Sequence, residues 1–340
     1  MNANGRLKVA VLGASGYTGA ELLRLVVEHN GIEIAALTAD RRAGEQVGAV
    51  YPHLAHLALP DMVAIDGVDW SAIDAVFCCL PHGTTQEVIA GLPGHVKIVD
   101  LSADFRLTDT ATYARWYGGE HRAPGLQTEA VYGLTEIKRE VVRNARLVAN
   151  PGCYTSTSIL GLAPLLSGGF IEPKGIIIDA KSGISGAGRA PKLTALYSEC
   201  NENVTAYAVG RHRHTPEIDL ILSQSSELDV EVVFTPHLMP MDRGILCTMY
   251  ARPTTDVSED DLLDAMRSFY EGKPFVRIVE HLPSTKDVTH TNFCDITVRK
   301  SRGQVIIMSC TDNLIKGAAG VAVQNFNLMC GFEETTGLLL

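Results

Sequence analysis

Apolar positions in the first half of the chain fall in short continuous runs, each closed by a turn signal and followed by a helical pattern. Leu7–Leu12 is one such run, and it ends in Gly13-Ala-Ser15-Gly16-Tyr17-Thr18-Gly19. The amphipathic stretch Ala20–Glu28 follows, then a second apolar run, Ile32–Leu37. Continuous runs of this length suit strands covered on both faces, and strand, glycine turn, helix, strand is the order of a βαβ unit. Further runs at Asp74–Leu80, Val96–Leu101 and Arg146–Ala149, with a helical Thr84–Leu92, continue the alternation. The pattern predicts an α/β domain of Rossmann type with a doubly wound parallel sheet.

Beyond residue 150 the texture changes. Gly175–Ala180, Val230–Phe234, Gly244–Tyr250, Phe293–Val298 and Gln304–Cys310 read as strands, and Ser258–Tyr270 is one of few helices between them. This predicts a second, α+β domain with a mostly antiparallel sheet. Lys316–Met329 is rich in Ala and Val and helical in pattern. No repeat, low-complexity tract or linker marks the break, so it is a change of architecture and not of composition.

A chain of 340 residues is long enough for two such domains. Its net charge of −10 argues against nucleic acid or a membrane surface as partner, so an anionic substrate must be met by locally placed Arg and Lys. No apolar run approaches membrane-spanning length, and the first one ends in glycine, which predicts a cytoplasmic protein. The eight cysteines show neither CxxC nor metal-ligand spacing, and no metal is expected. Cys78, Cys79 and Cys247 lie in apolar runs and read as core thiols in a reducing compartment.

One cysteine stands apart. In Asn150-Pro151-Gly152-Cys153-Tyr154-Thr155, Pro151 and Gly152 break a strand just before a helical pattern over 156–166. Cys153 therefore falls at or just before a helix N-terminus, where backbone N–H groups and the helix dipole favour a thiolate. A buried, inert thiol is the other reading of the same residue. The glycines of 13–19 have GxxGxxG spacing, and their place between the first strand and first helix favours a dinucleotide pyrophosphate site. Asp104-Phe105-Arg106 follows the strand ending at Leu101. Ligands gather beyond the carboxyl ends of such strands, which makes Arg106 a candidate anion contact. Lys181–Arg189 offers small residues whose amides can converge on an anion, and it closes on a guanidinium.

Arg211-His212-Arg213-His214-Thr215-Pro216-Glu217 is the densest cationic cluster. Thr215 as N-cap and Pro216 as first helical residue would start a helix. An extended approach would put His212 and His214 on one side and the arginines on the other. Such a histidine suits proton exchange with a thiol, and His212, farther from the helix start, has more freedom to do so. Two alternating histidines can also mark a metal site, but no third ligand stands at useful spacing.

Taken in order, Gly13–Gly19, Asp100–Arg106, Asn150–Thr155, Ser182–Arg189, His212–His214, Pro236–Gly244 and Asn313–Gly320 resemble the N-acetyl-γ-glutamyl-phosphate reductases of arginine biosynthesis over almost the whole chain. That family stands with the aspartate-semialdehyde and glyceraldehyde-phosphate dehydrogenases. The resemblance implies a dinucleotide-binding domain from residues 1–150 and 313–340, with the last helix returning to it, and a catalytic and dimerisation domain from 151–312. It implies NADPH-dependent reduction of an acyl phosphate to a semialdehyde through a thioester, by a homo-oligomer (dimer or tetramer). Cys153 matches the nucleophile, and His212 and His214 match the acid–base region. Gly13, Ser15, Gly16, Tyr17, Thr18, Gly19, Arg41, Arg42, Ser185, Gly186 and Asn313 are assigned to the cofactor, and Arg106, Arg189, Arg213 and Glu217 to the substrate. Two positions depart from the usual pattern. Thr38-Ala39-Asp40-Arg41-Arg42 pairs an acidic residue, which suits NAD, with arginines that suit NADP, and Val321 stands where Gln is common. The same chemistry on an aminoadipyl or aspartyl phosphate, and a non-catalytic NADP-sensing regulator, are the alternative readings.

Overall fold

The computed structural model describes residues 5–339. Two compact units divide the chain: the first runs to Pro151 and resumes at Ala318, and the second is Gly152–Gly317.

The first unit holds strands β1 (Leu7–Leu12), β2 (Ile32–Thr38), β3 (Met62–Val63), β4 (Ala75–Cys78), β5 (Lys97–Asp100), β6 (Val131–Tyr132) and β7 (Leu147–Ala149). They form one sheet in the order β3-β2-β1-β4-β5-β7-β6, and every pairing is parallel. Helices α1 (Tyr17–Val26), α2 (Val47–Val50), α3 (Thr85–Ala90), α4 (Thr110–Tyr117), α5 (Pro124–Gln127) and α6 (Thr135–Arg143) connect them. Strand order reverses between β1 and β4, and in sheets of this kind the crevice at such a reversal takes ligands. Val9–Leu12 and Ala75–Cys78 are buried at every position, so both faces of these strands are covered and they read as unbroken apolar runs. The sequence pattern does not announce β3 and β6, because two residues are too few to show a period.

The second unit holds β8 (Lys174–Ser182), β9 (Thr205–Ala206), β10 (Glu231–Leu238), β11 (Ile245–Ala251), β12 (Val276–Ile278), β13 (Cys294–Ser301) and β14 (Gln304–Thr311), ordered β12-β13-β14-β11-β8-β10-β9. The β8–β10 and β12–β13 pairs are parallel and the others antiparallel. Its helices are α7 (Cys153–Ser167), α8 (Tyr197–Cys200), α9 (Thr215–Ser226), α10 (Glu259–Phe269) and α11 (Thr285–Val288). Helix α7 is buried without interruption from Tyr154 to Leu166. A helix covered all round is the axis of its unit, and α7 packs against α9, α10, β11 and β14. Gly161 lets β11 approach α7 closely, since a Cβ there would stand 2.4 Å from the Met249 methyl.

The pattern over 316–329 resolves into two parts. A π-helical turn, Ile315–Ala319, is followed by α12 (Gly320–Cys330), which packs on α1, α6 and β5 of the first unit. Val321 is fully buried there. Residues 313–317 belong to the second unit. Among the described residues no helix is long and apolar enough to cross a membrane.

Candidate active site

In the first unit, the glycine turn has the tight shape a dinucleotide pyrophosphate requires. Gly13 has φ +76°, and a Cβ on it would stand 2.5 Å from the Cys79 carbonyl oxygen. A Cβ on Gly19 would stand 2.7 Å from the Gly13 carbonyl oxygen and 2.9 Å from the Ala14 Cα. The amides of Gly13 and Ala14 donate to the Thr38 carbonyl at 3.1 and 3.0 Å, which fixes the turn at the end of β2. Gly16 is the N-cap of α1, and no side chain caps it. A close backbone cradle ahead of an uncapped helix start fits the phosphates of a dinucleotide. Asp40, Arg41 and Arg42 form an exposed turn after β2, with Arg42 paired to Glu45 at 3.0 Å.

Arg106, the candidate anion contact after β5, is turned inward. It is buried, and its Nε and Nη2 donate to the carbonyls of Asn150 at 2.8 Å and Leu101 at 3.2 Å. It thereby anchors the chain three residues before Cys153. Around it, Asp104 accepts from the Gly83 amide and the Tyr113 hydroxyl. Burial pushes the Asp100 carboxyl up to about 7, against the opposing bonds from Ser102.

In the second unit Cys153 is the first residue of α7, with Gly152 as N-cap in extended geometry and no side-chain cap. Glu217 is fully buried, and its Oε1 accepts from the Gly152 amide at 2.9 Å and the Thr155 hydroxyl at 2.8 Å. These bonds tie that oxygen to the start of α7, so Glu217 holds the loop before Cys153 where the resemblance implied a substrate contact. The neighbouring thiol of Cys247 is pushed up to about 12 by burial, which leaves it inert. No disulfide joins any cysteine among the described residues.

Residues 211–214 form turns and not an extended strand, yet both histidines reach the same place. Their rings lie 4.7 Å apart, and each meets the Tyr154 ring edge-on, at 5.8 Å for His212 and 6.0 Å for His214. His214, not Thr215, occupies the cap position of α9, because its carbonyl accepts the first helical bond from Ile218. The His214 amide donates to His212 Nδ1 at 3.1 Å. Burial, aided by the Arg213 charge, lowers His212 to about 4. His212 is thus a weak base, neutral near pH 7, and with Nδ1 accepting the His214 amide its proton sits on Nε2, where it can donate a hydrogen bond. Arg213 and Arg189 are exposed.

Sequence reasoning missed Tyr154, which meets both histidine rings, and Tyr207 and Phe234, which meet that of His212. The Tyr207 hydroxyl, 3.4 Å from that of Tyr154, is raised to about 12 by burial and by the charge of Cys153. Ser185 and Asn313 meet in a buried chain. Asn313 donates to Ser185 Oγ at 3.0 Å and accepts from the Gly244 amide at 2.7 Å, and Ser185 donates to the Asp242 carbonyl at 2.6 Å. Gly186 lies beside that chain, 3.7 Å from Asn313 Nδ2 by its would-be Cβ. His281, Asp287 and Asp295 bring ligand atoms within 4.8 Å of one another, but Arg277 already holds both oxygens of Asp295, at 2.6 and 2.9 Å.

Residues 8–145 match the profile of the semialdehyde dehydrogenase NAD binding domain, and residues 153–313 match that of the semialdehyde dehydrogenase dimerisation domain. Among solved structures, aspartate semialdehyde dehydrogenase II of Vibrio cholerae aligns with a TM-score of 0.73 at 15% identity, over 96% of this chain and 98% of that one. The Candida albicans aspartate semialdehyde dehydrogenase with NADP aligns at 0.66 and 16%, over 96% and 98%. At those identities the likeness speaks for the fold. Sequence relatives are much nearer. A rice protein described as a probable chloroplastic N-acetyl-γ-glutamyl-phosphate reductase is 54% identical over 98% of this chain and 81% of its own. The N-acetyl-γ-glutamyl-phosphate reductase of Rhodospirillum rubrum is 53% identical over 98% and 97%. The chain belongs to the N-acetyl-γ-glutamyl-phosphate reductase family, and it is an oxidoreductase.

Proposed function

We propose that the chain reduces N-acetyl-γ-glutamyl phosphate to N-acetylglutamate semialdehyde and phosphate, a step of arginine biosynthesis, through a thioester on Cys153. The observation that carries this reading is Cys153 as first residue of α7, with both histidine rings packed on the next residue, Tyr154. A helix start stabilises the thiolate. The sulfur attacks the acyl carbon, the S–C bond forms, and the C–O bond to phosphate breaks. Exposed Arg189 and Arg213 are suited to neutralise the phosphate charge. When bound, the reduced nicotinamide supplies hydride to the thioester carbon. The resulting oxyanion on the Cys153 adduct collapses to the aldehyde as the C–S bond breaks.

We assign the thiol proton to His214 in place of His212. His212 is held neutral with Nδ1 already accepting a backbone bond, so its Nε2–H is suited to steady the oxyanion. His214 then takes the proton from sulfur and returns it when the thiolate is released. Gly13, Ser15, Gly16, Tyr17, Thr18 and Gly19 would hold the pyrophosphate. Arg41 and Arg42 favour NADP by pairing with a 2′-phosphate, with Asp40 opposing them.

Association with a second copy belongs to the same reading. The outer face of the second sheet exposes Ile177, Val233 and Tyr250 side by side on β8, β10 and β11. Such a row suits a partner surface, and the matching profile is that of a dimerisation domain.

The test is a reverse-direction panel of semialdehydes of different chain length with phosphate and either NADP or NAD. N-acetylglutamate semialdehyde with NADP should give the highest kcat/KM. A higher value for an aspartyl or aminoadipyl semialdehyde would reject the substrate, and equal values for the two cofactors would reject the NADP preference.

A further inference from the structure

The π-helical turn before α12 lies directly against the proposed nucleophile. A Cβ built on Gly317 would stand 2.7 Å from Cys153 Cβ and 3.1 Å from its Cα. Carbon atoms do not approach that closely, so any side chain at 317 must displace Cys153 or the turn. The turn cannot yield easily. The Gly317 amide donates to the Asp312 carbonyl at 2.9 Å, the five-residue bond that defines a π turn. The Asp312 side chain is fully buried, and its two oxygens accept from the amides of Leu314 at 2.8 Å, Ile315 at 3.1 Å and His290 at 2.7 Å. Arg243 closes the arrangement as a two-point fork, Nε at 3.0 Å and Nη2 at 3.2 Å. Arg243 also adjoins Gly244, whose amide binds Asn313, and Asp242, whose carbonyl binds Ser185. One buried hub therefore fixes the turn, and the turn has a surface without side chain where it meets Cys153.

We propose that this hub is a positioning device for the thiol. Arg243 and Asp312 lock the π turn, and Gly317, a positioning residue, sets how far Cys153 stands from the first turn of α7. The inference rests on Cys153 being the nucleophile, and it deepens that reading. An α-helical turn would have one residue fewer, and the extra residue is what brings a glycine to this point.

The experiment follows alkylation of the Cys153 peptide by iodoacetamide across pH in Gly317→Ala, together with kcat and cofactor Kd. Displacement from the helix start should raise the pH at which Cys153 reacts. A misplacement of about 1 Å lowers kcat roughly a hundredfold, and cofactor Kd should stay at the parental value. A folded Gly317→Ala protein with the parental alkylation profile overturns the proposal, even if its melting temperature falls. If Gly317→Ala does not fold, Arg243→Lys replaces it, keeping the charge but losing the fork. An upward move of the Cys153 profile in that variant supports the device, and a parental profile overturns it. The alkylation arm uses no substrate, so it stands or falls separately from the thioester reading, which Cys153→Ser tests.

Discussion

His212 and His214 are two residues apart and share one aromatic enclosure, yet their surroundings treat them differently. His212 is held down to about 4, burial being the larger cause and Arg213 the smaller. Its folded pKa lies below the ordinary value, so the stability it contributes is present above about 6.5 and is lost as pH falls toward 4. His212→Asn should therefore flatten the acid side of a melting-temperature profile while leaving in place the limb of kcat/KM that reports the base. His214→Asn should remove the pH-dependent limb of kcat/KM that reports the base. Loss of that limb in His212→Asn alone would reverse the two roles. At this scale the sequence discloses that Cys153 and the histidine pair stand at helix starts, because Pro151-Gly152 and Thr215-Pro216 mark those starts locally. It does not disclose Glu217, whose partner Gly152 is 65 residues away, or Asn313, whose partner Ser185 is 128 away. The resemblance makes such side chains ligand contacts, and only the folded chain shows them bonded to the protein's own backbone and side chains.

At the scale of elements, the strand–glycine–helix start and the Cys153 helix are both legible, because glycine, proline and unbroken apolar runs act through neighbouring residues. The clearest consequence is at Gly19. A methyl there would stand 2.7 Å from the Gly13 carbonyl oxygen, against backbone and not a flexible side chain. Gly19→Ala should weaken dinucleotide binding at least tenfold, about 1.4 kcal/mol, while alkylation of Cys153 stays parental. Titration of the cofactor by fluorescence measures it, and unchanged affinity would remove the turn from the cofactor site. The π turn over 315–319 is not legible. An Ala- and Gly-rich stretch reads as α-helix by default, and nothing local marks the i+5 bond that forms beside the buried Asp312–Arg243 pair. The cap of α9 is missed for a related reason: His214, already tied through its amide to His212, takes the place expected of Thr215.

For the molecule as a whole, the change of architecture near residue 150 is readable because parallel and antiparallel sheets carry different hydrophobic patterns. The point at which the chain rejoins the first unit, after Gly317, falls inside a continuous helical pattern and has no such mark. The open sheet face makes a prediction of its own. Ile177 is 46% exposed and Val233 59%. Ile177→Asp with Val233→Lys should lower the mass measured by light scattering to that of a single chain, with the circular dichroism spectrum retained. A parental mass would move the contact elsewhere. The central claim, covalent capture by Cys153, is tested most directly by mixing the protein with N-acetyl-γ-glutamyl phosphate without reduced cofactor and measuring intact and peptide mass after acid quench. An N-acetylglutamyl adduct on the Cys153 peptide, absent from Cys153→Ser, is the expected result. Turnover by the full system with no adduct on that peptide, or with Cys153→Ser still active, would contradict it.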